Sequence, residues 1–307
     1  MTPERMEGHR QDFDKVLRVL QDTPGIDREY LAPLEEFQAR VRRTNEALRK
    51  HGHTVGLVFS DEHYAGDVPY LGGNTNISIE QVAGVIGPNG FHVVAGLEGG
   101  YVAEQLAERA GAKVHKVELL QLADEKYPIR AERLEDVIRA AAGKEVDHIA
   151  LLTPRQVIPS GVVEYLQHLY GVDGVVDAQE LYYRVKYEKS AIEMRLIADA
   201  CVIADAMMRA MFAVLRPGRL ETEVAAWGAW VARMLGSERD GFQIMVGANT
   251  ANRTLIGPAL NRRINEGDWV HLGVAPKRDG LTACLRRSVI AVDSPKKVTP
   301  DQKYWFD

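Results

Sequence analysis

The chain has 307 residues, 46% of them hydrophobic and 26% charged, with 38 Lys and Arg against 43 Asp and Glu for a formal charge of -5. That length and composition suit one large or two medium globular domains and exclude disordered, coiled-coil and collagenous chains. The acidic balance leaves no basic field for a nucleic-acid backbone or an anionic membrane surface, so neither is expected as a partner. Cys201 and Cys284 are too few and too far apart for a disulfide framework, and a reducing cytoplasm is the expected compartment. The first ten residues lack an apolar h-region. The most apolar long window, Ile197 to Leu215, carries Asp199, Asp205 and Arg209, so no membrane span is expected.

In chain order, residues 33–51 place Leu34, Phe37, Val41 and Leu48 among charges and stop at Gly52, the pattern of an amphipathic helix. Thr54 to Phe59 is β-rich. After a Tyr70-Leu-Gly-Gly-Asn74 loop come two strands, Gln81–Ile86 and Phe91–Ala95, joined through Gly87-Pro-Asn-Gly90 as a hairpin. A helix over Tyr101–Ala110, a strand over Lys113–Val117, a helix over Ala131–Ala142 and a strand over His148–Leu152 continue the alternation. Residues 1–180 therefore read as one α/β domain with a mixed sheet, and 181–187 as a linker.

From Glu188 the spacing of Ile192, Leu196, Ala200, Ile203, Met207, Met211 and Val214 predicts a long one-faced helix, ended by Pro217-Gly218. Leu220, Val224, Trp227, Val231 and Leu235 repeat the pattern, and short strands follow over 241–292. Thr299-Pro-Asp-Gln302 is a capping-box start with only five residues after it. A helix so short buries no useful face, which suggests that residues 188–307 are the first half of a larger domain.

Several segments together resemble the creatinase and Xaa-Pro aminopeptidase/prolidase superfamily, the pita-bread fold. Val68-Pro-Tyr-Leu-Gly-Gly73 is similar to its Tyr-Leu-(Ser/Thr)-Gly segment, and Arg184-Val-Lys186 with Ile192-Glu193 to the signature that opens its catalytic domain. Leu215-Arg-Pro-Gly218 resembles the Pro-Gly after the first helix of that domain, and Glu266-Gly-Asp-Trp-Val270 the Gly-Asp before its first metal-ligand strand. The resemblance implies an α/β N-terminal domain followed by a pita-bread domain, and commonly a homodimer.

The family's chemistry uses two divalent metals held by two Asp, one His and two Glu, with a further His near the scissile bond. Carried over residue by residue, the two Asp positions fall on Gly273 and Cys284, and the further His falls on Ile256. The remaining ligands would lie after Asp307. The resemblance thus implies a member without the dinuclear site, and no metal or other cofactor is expected. Creatinase also works without metal, and Leu281-Thr-Ala-Cys-Leu-Arg-Arg287 resembles one of its strands, with Arg287 at the arginine position. Creatinase, however, keeps the His that is Ile256 here.

His271 precedes Gly273 by two, so on a strand both face one way and the glycine leaves an opening beside an imidazole suited to general-base work. The bland alternative is a hydrogen-bonded strand histidine. By alternation Thr282, Cys284 and Arg286 share a face and Arg287 points the other way. Cys284 beside arginine is a candidate nucleophile or else a small filler, and Arg287 a candidate grip on a substrate carboxylate. Thr282, Arg286 and Asn249 are candidate substrate-binding residues, while Asn252 and Asn261 are as readily turn caps. Asp61-Glu62-His63, His51 and His53 read as ordinary surface groups, and Gly87–Gly90 as a turn without a phosphate-binding helix behind it. The expected function is metal-independent cleavage of a C–N bond in a small polar compound, the alternative a non-catalytic chain that uses the cleft for binding. A metal-dependent Xaa-Pro peptidase ranks third.

Overall fold

A computed structural model describes residues 3–73, 81–121, 130–238, 240–249 and 257–305. In chain order its elements are α1 (Pro3–Gln21), α2 (Leu34–Lys50), β1 (Gly56–Ser60), α3 (Asp67–Gly72), β2 (Val82–Gly87), β3 (Gly90–Ala95), α4 (Gly99–Ala107), β4 (Lys113–Lys116) and α5 (Leu134–Ala142). Then follow β5 (Ile149–Leu151), α6 (Ser160–Tyr170), β6 (Val175–Asp177), α7 (Gln179–Tyr187), α8 (Ala191–Val214), α9 (Glu221–Met234) and β7 (Met245–Asn249). The last are β8 (Trp269–Val274), β9 (Lys277–Arg278), β10 (Leu281–Thr282), β11 (Leu285–Ile290) and α10 (Pro300–Tyr304). Two compact units result, Leu31–Met194 and the pair of segments Met1–Tyr30 with Arg195–Asp307. Among the described residues no helix is long and apolar enough to cross a membrane.

The Leu31–Met194 unit is built on a six-stranded mixed sheet in the order β4-β3-β2-β1-β5-β6. The pairs β1–β2 and β2–β3 are antiparallel, while β3–β4, β1–β5 and β5–β6 are parallel. Every residue of β1 and β2 is buried, because both faces carry helices. Leu57, Phe59 and Val85 meet Val137, Ile138, Val162 and Leu166 of α5 and α6 on one face. Val58, Ile86 and Val93 meet Leu48, Leu71 and Tyr182 of α2, α3 and α7 on the other. The hairpin turn at Pro88-Asn89 is secured from outside, with Asn89 Nδ2 donating to the Ala140 carbonyl at 2.9 Å. Gly84 lies where a methyl group would stand 2.2 Å from the Phe91 ring, so that position admits no side chain without repacking.

Three expectations change here. The first thirty residues do not join the first α/β domain: α1 packs against α9 in the other unit, with Asp12 receiving Arg216 at 2.7 Å and also Arg219. Arg278, 1% exposed, clamps the segment after α1 through the carbonyls of Asp27, Arg28 and Tyr30 at 3.1–3.2 Å. Residues 181–187 are not a linker but most of α7, because Leu181 and Tyr182 are buried and the Tyr182 hydroxyl donates to the Asp67 carbonyl at 2.8 Å. The segment from Tyr70 is not a loop throughout, since α3 runs to Gly72, and Asn74 lies outside the described residues.

In the second unit Leu196, Ala200, Ile203, Met207, Met211 and Val214 of α8 are all at most 1% exposed, and from Ala200 on they line one core with α9 and a three-stranded antiparallel sheet, β11-β8-β7. β9 and β10 form a separate two-stranded hairpin. α10 begins with the expected capping box: Gln302 N donates to Thr299 Oγ1 at 3.2 Å and Thr299 N to Gln302 Oε1 at 3.0 Å.

Candidate functional site

The sequence Trp269-Val-His-Leu-Gly-Val274 alternates, and the sheet separates the two sets. Val270, Leu272 and Val274, with Val246 and Ala248 of β7, are buried against α8 and α9. Cross-strand partners share a face, so the register puts His271 with Ser288 and Gly247, Gly273 with Arg286 and Met245, and Trp269 with Asn249 on the opposite face. On that face Arg286 and Ser288 are exposed.

His271 and Ser288 form the closest chemical pair there, with His271 Nδ1 2.6 Å from Ser288 Oγ. The imidazole is only 7% exposed, and burial lowers its pKa below the ordinary histidine value, which keeps the ring neutral near pH 7. Its other nitrogen, Nε2, is buried and meets no hydrogen-bond partner among the described residues. A neutral ring has one nitrogen free to accept, so Nδ1 can take the serine proton while Nε2 keeps its own. Arg286 stands two residues before Ser288, its guanidinium 5.7 Å from the centre of the Phe242 ring.

The remaining predicted residues scatter. The opening beside His271 is not there, because a side chain at Gly273 would meet Met245 Sδ at 3.2 Å and Met245 Cβ at 3.3 Å. Thr282 and Cys284 do not extend the face of Arg286: Thr282 belongs to the β9–β10 hairpin and pairs with Lys277, and the strand is interrupted at Ala283 and Cys284. Ala283 N donates instead to the Pro276 carbonyl at 3.1 Å, which pulls the chain out of the ladder. Cys284 is an exposed free thiol. Arg287 pairs in register with Leu272, points off the apolar side at the sheet edge and donates to the Arg286 carbonyl at 2.7 Å. Asn249 closes β7 opposite Trp269, and Asn261 accepts from Thr222 Oγ1 at 2.8 Å. Ile256 and Asn252 lie outside the described residues.

The motifs that carried the family resemblance turn out to be wiring. Gly267 adopts φ +81°, a value suited to glycine, and this lets Asp268 Oδ2 accept from Asn265 N at 2.8 Å just before β8. Glu193 caps α8 by accepting from Ser190 N at 2.8 Å and lies near Arg40, which also binds Glu36 at 2.9 Å. Lys186 pairs with Asp67, whose other oxygen accepts from Thr153 at 2.6 Å. In the Asp61–His63 group, Asp61 Oδ1 accepts from the backbone N of His63 and Tyr64 at 2.8 and 2.6 Å, an Asx turn.

Two residues of the site were not singled out from sequence. Ser288 offers no local signal, since its meeting with His271 depends on a register set by the hairpin excursion between β8 and β11. Glu221, wholly buried at the start of α9, accepts from Ala248 N at 2.7 Å, Leu260 N at 3.0 Å and Arg262 Nε at 2.7 Å, and so fixes β7 to the segment after it. An acidic residue in the first turn of a helix usually reads as a dipole partner and no more.

The positions at which the resemblance places the two Asp ligands carry Gly273 and Cys284. No group of three or more His, Cys, Asp or Glu among the described residues could hold a metal ion, Met245 occupies the place beside Gly273, and a lone exposed thiolate is a poor donor for hard divalent cations.

Residues 195–307 match the model of metallopeptidase family M24. A Xaa-Pro dipeptidase of Pyrococcus horikoshii is 25% identical over 223 residues, 72% of this chain and 62% of that protein. The putative dipeptidase YkvY of Bacillus subtilis is 24% identical over 87% of this chain and 69% of its own. Among solved structures, the prolidase from Pyrococcus horikoshii superposes with a TM-score of 0.65 at 19% identity, over 87% of this chain and 67% of that one. The dipeptidase PepE of Mycobacterium ulcerans gives a TM-score of 0.64 at 19% identity, over 89% and 68%. The chain therefore spans about three-fifths of the length of the first of these curated relatives. These matches support a likeness to the creatinase and prolidase superfamily of pita-bread proteins, the chain having a mixed α/β unit and part of the peptidase-like fold.

Proposed function

We propose that the chain supplies the substrate-facing sheet of a metal-independent hydrolase that opens a C–N bond in a small polar compound. The observation that carries this reading is the His271–Ser288 pair at 2.6 Å on the sheet face turned away from the core. Ser288 Oγ attacks the carbon of the bond and gives its proton to His271 Nδ1. The C–N bond breaks and the imidazolium passes that proton to the departing nitrogen. Water then releases the acyl group from Ser288 by the same exchange in reverse. Arg286, on the same face, holds a carboxylate or the developing negative charge of the substrate. The names of the relatives speak of Xaa-Pro dipeptides, but the donor set here gives no support to a metal-dependent reaction.

A second reading is favoured by one observation, the Met245 side chain filling the space beside Gly273: the face binds a ligand without turning it over. A panel of small amides, ureido acids and guanidino acids, assayed in the presence of a chelator, separates the two. Turnover that survives chelation and falls about 10²–10⁴-fold in Ser288→Ala supports the hydrolase. Ligand binding without turnover, unchanged in Ser288→Ala, supports the second reading. Because burial lowers the His271 pKa, the acid limb of the activity profile should fall below pH 6.5. We also propose a cytoplasmic homodimer, symmetric pairs being the commonest oligomers. A mass near the 34.2 kDa monomer by light scattering would contradict the dimer.

A further inference from the structure

The Leu31–Met194 unit holds a cavity of about 480 Å³ between the second half of α2, the connection to β1, the β2–β3 turn and the end of α5. Arg42, Arg49 and Lys144 line it together with Asn45, Glu46 and His53. Three cations against one acid is unusual on a chain with net charge -5. Among the described residues none of the three cations is engaged in an ion pair or side-chain hydrogen bond. Three other arginines of the same unit are occupied: Arg139 holds Asp136 and Glu145, Arg155 holds Asp177, and Arg133 holds Glu135. The acids nearest Lys144 in sequence are already taken, Glu145 by Arg139 and Asp147 by His148 at 2.7 Å.

The polar groups of the cavity are arranged to receive a ligand from one side. Asn45 Nδ2 is used by the Gly87 carbonyl at 2.8 Å, which fixes the amide and turns its oxygen free as an acceptor. His148 Nδ1 meets Asp147, so its Nε2 accepts from His53 Nδ1 at 3.2 Å, and His53 keeps Nε2 for another partner. A volume of this size exceeds what a lone inorganic anion fills and suits a small organic molecule.

We infer that this cavity binds a small organic molecule carrying a multivalent oxyanion, a phosphoryl group or a cluster of carboxylates, gripped by Arg42, Arg49 and Lys144. Asn45 and Glu46 then accept from its hydroxyl groups. Nothing in this inference depends on the His271–Ser288 face.

Calorimetry with pyrophosphate, citrate and ribose 5-phosphate tests it at moderate salt. Saturable binding is expected, weakened at least about tenfold in an Arg42→Gln/Arg49→Gln variant. An Arg133→Gln/Arg155→Gln variant makes the same change in net charge outside the cavity and should bind as the parent does. Preference for pyrophosphate and ribose 5-phosphate over citrate assigns phosphate chemistry, and the reverse preference assigns carboxylates. Ligand should also raise the titration midpoint of His53, which burial and the neighbouring His148 and His51 hold below its ordinary value. No saturation up to about 10 mM, or equal weakening in the two double variants, overturns the proposal.

Discussion

The two sheets of this chain are used differently. In the six-stranded sheet the central strands are buried along their whole length, and both faces are covered by helices of the same unit. In the three-stranded sheet burial alternates along β7 and β11 is mostly exposed or half-exposed, while the central β8 is buried from Val270 on. One face meets α8 and α9, and the other carries His271, Arg286 and Ser288. A sheet covered on both sides has no face left for chemistry, and its polar groups serve the fold. A sheet covered on one side can spend the second face on a ligand.

If that contrast is right, removal of the group that anchors the half-open sheet should cost most. Glu221→Ala leaves two backbone N–H groups and Arg262 without their acceptor, and a loss of about 2–4 kcal/mol is expected in chemical denaturation. A loss below about 1 kcal/mol would mean that β7 is held by its apolar face alone.

The covered sheet has its own titratable group. His92 in β3 is 1% exposed, and burial, with His115 and Lys113 beside it, pushes its pKa down to about 4. His115 Nδ1 donates to Glu132 at 2.9 Å and its Nε2 accepts from His92 Nδ1 at 2.9 Å, so the array stores a neutral His92. The unfolded chain takes up that proton near pH 6.5 while the folded chain refuses it until about pH 4. Stability is therefore full above pH 6.5 and falls as the pH drops toward 4, by about 1.4 kcal/mol per unit at most. His92→Phe should flatten this limb, and an unchanged slope would place the acid sensitivity elsewhere.

Glycine-to-alanine changes sharpen the comparison further. Gly84→Ala in the covered sheet drives a methyl group into the buried Phe91 ring, 2.2 Å away, and should cost about 1–3 kcal/mol. Gly273→Ala in the half-open sheet meets only the flexible Met245 side chain at 3.2–3.5 Å and should cost less than about 1 kcal/mol. Equal costs would deny the difference in packing.

Much of the scaffold was legible in sequence because spacing alone determines it. The three- and four-residue repeat from Leu196 to Val214 became the buried stripe of α8, and Gly87-Pro-Asn-Gly90 became the hairpin turn. α6 was not read, nor was the three-residue β6, and α1 was obscured by its many charges around Val16, Val19 and Leu20. The site was less legible for a different reason. Alternation was extended from Thr282 through Cys284 to Arg286 as if one strand ran through, whereas Ala283 bonds to Pro276 and breaks it. The pairing of Ser288 with His271 follows from that break, and local pattern carries no trace of it.

Adjacent residues of β8 provide the most direct test of the central claim, that one face of this sheet holds the fold and the other does the work. Leu272 is 2% exposed in the core, and His271 faces the other way. Leu272→Ala should lower stability by about 2–5 kcal/mol and leave function per folded molecule unchanged. His271→Ala should remove activity or ligand binding by about 10²–10⁴-fold with little change in melting temperature. If His271→Ala instead lowers the melting temperature and leaves function per folded molecule intact, His271 is a structural strand residue and the account fails.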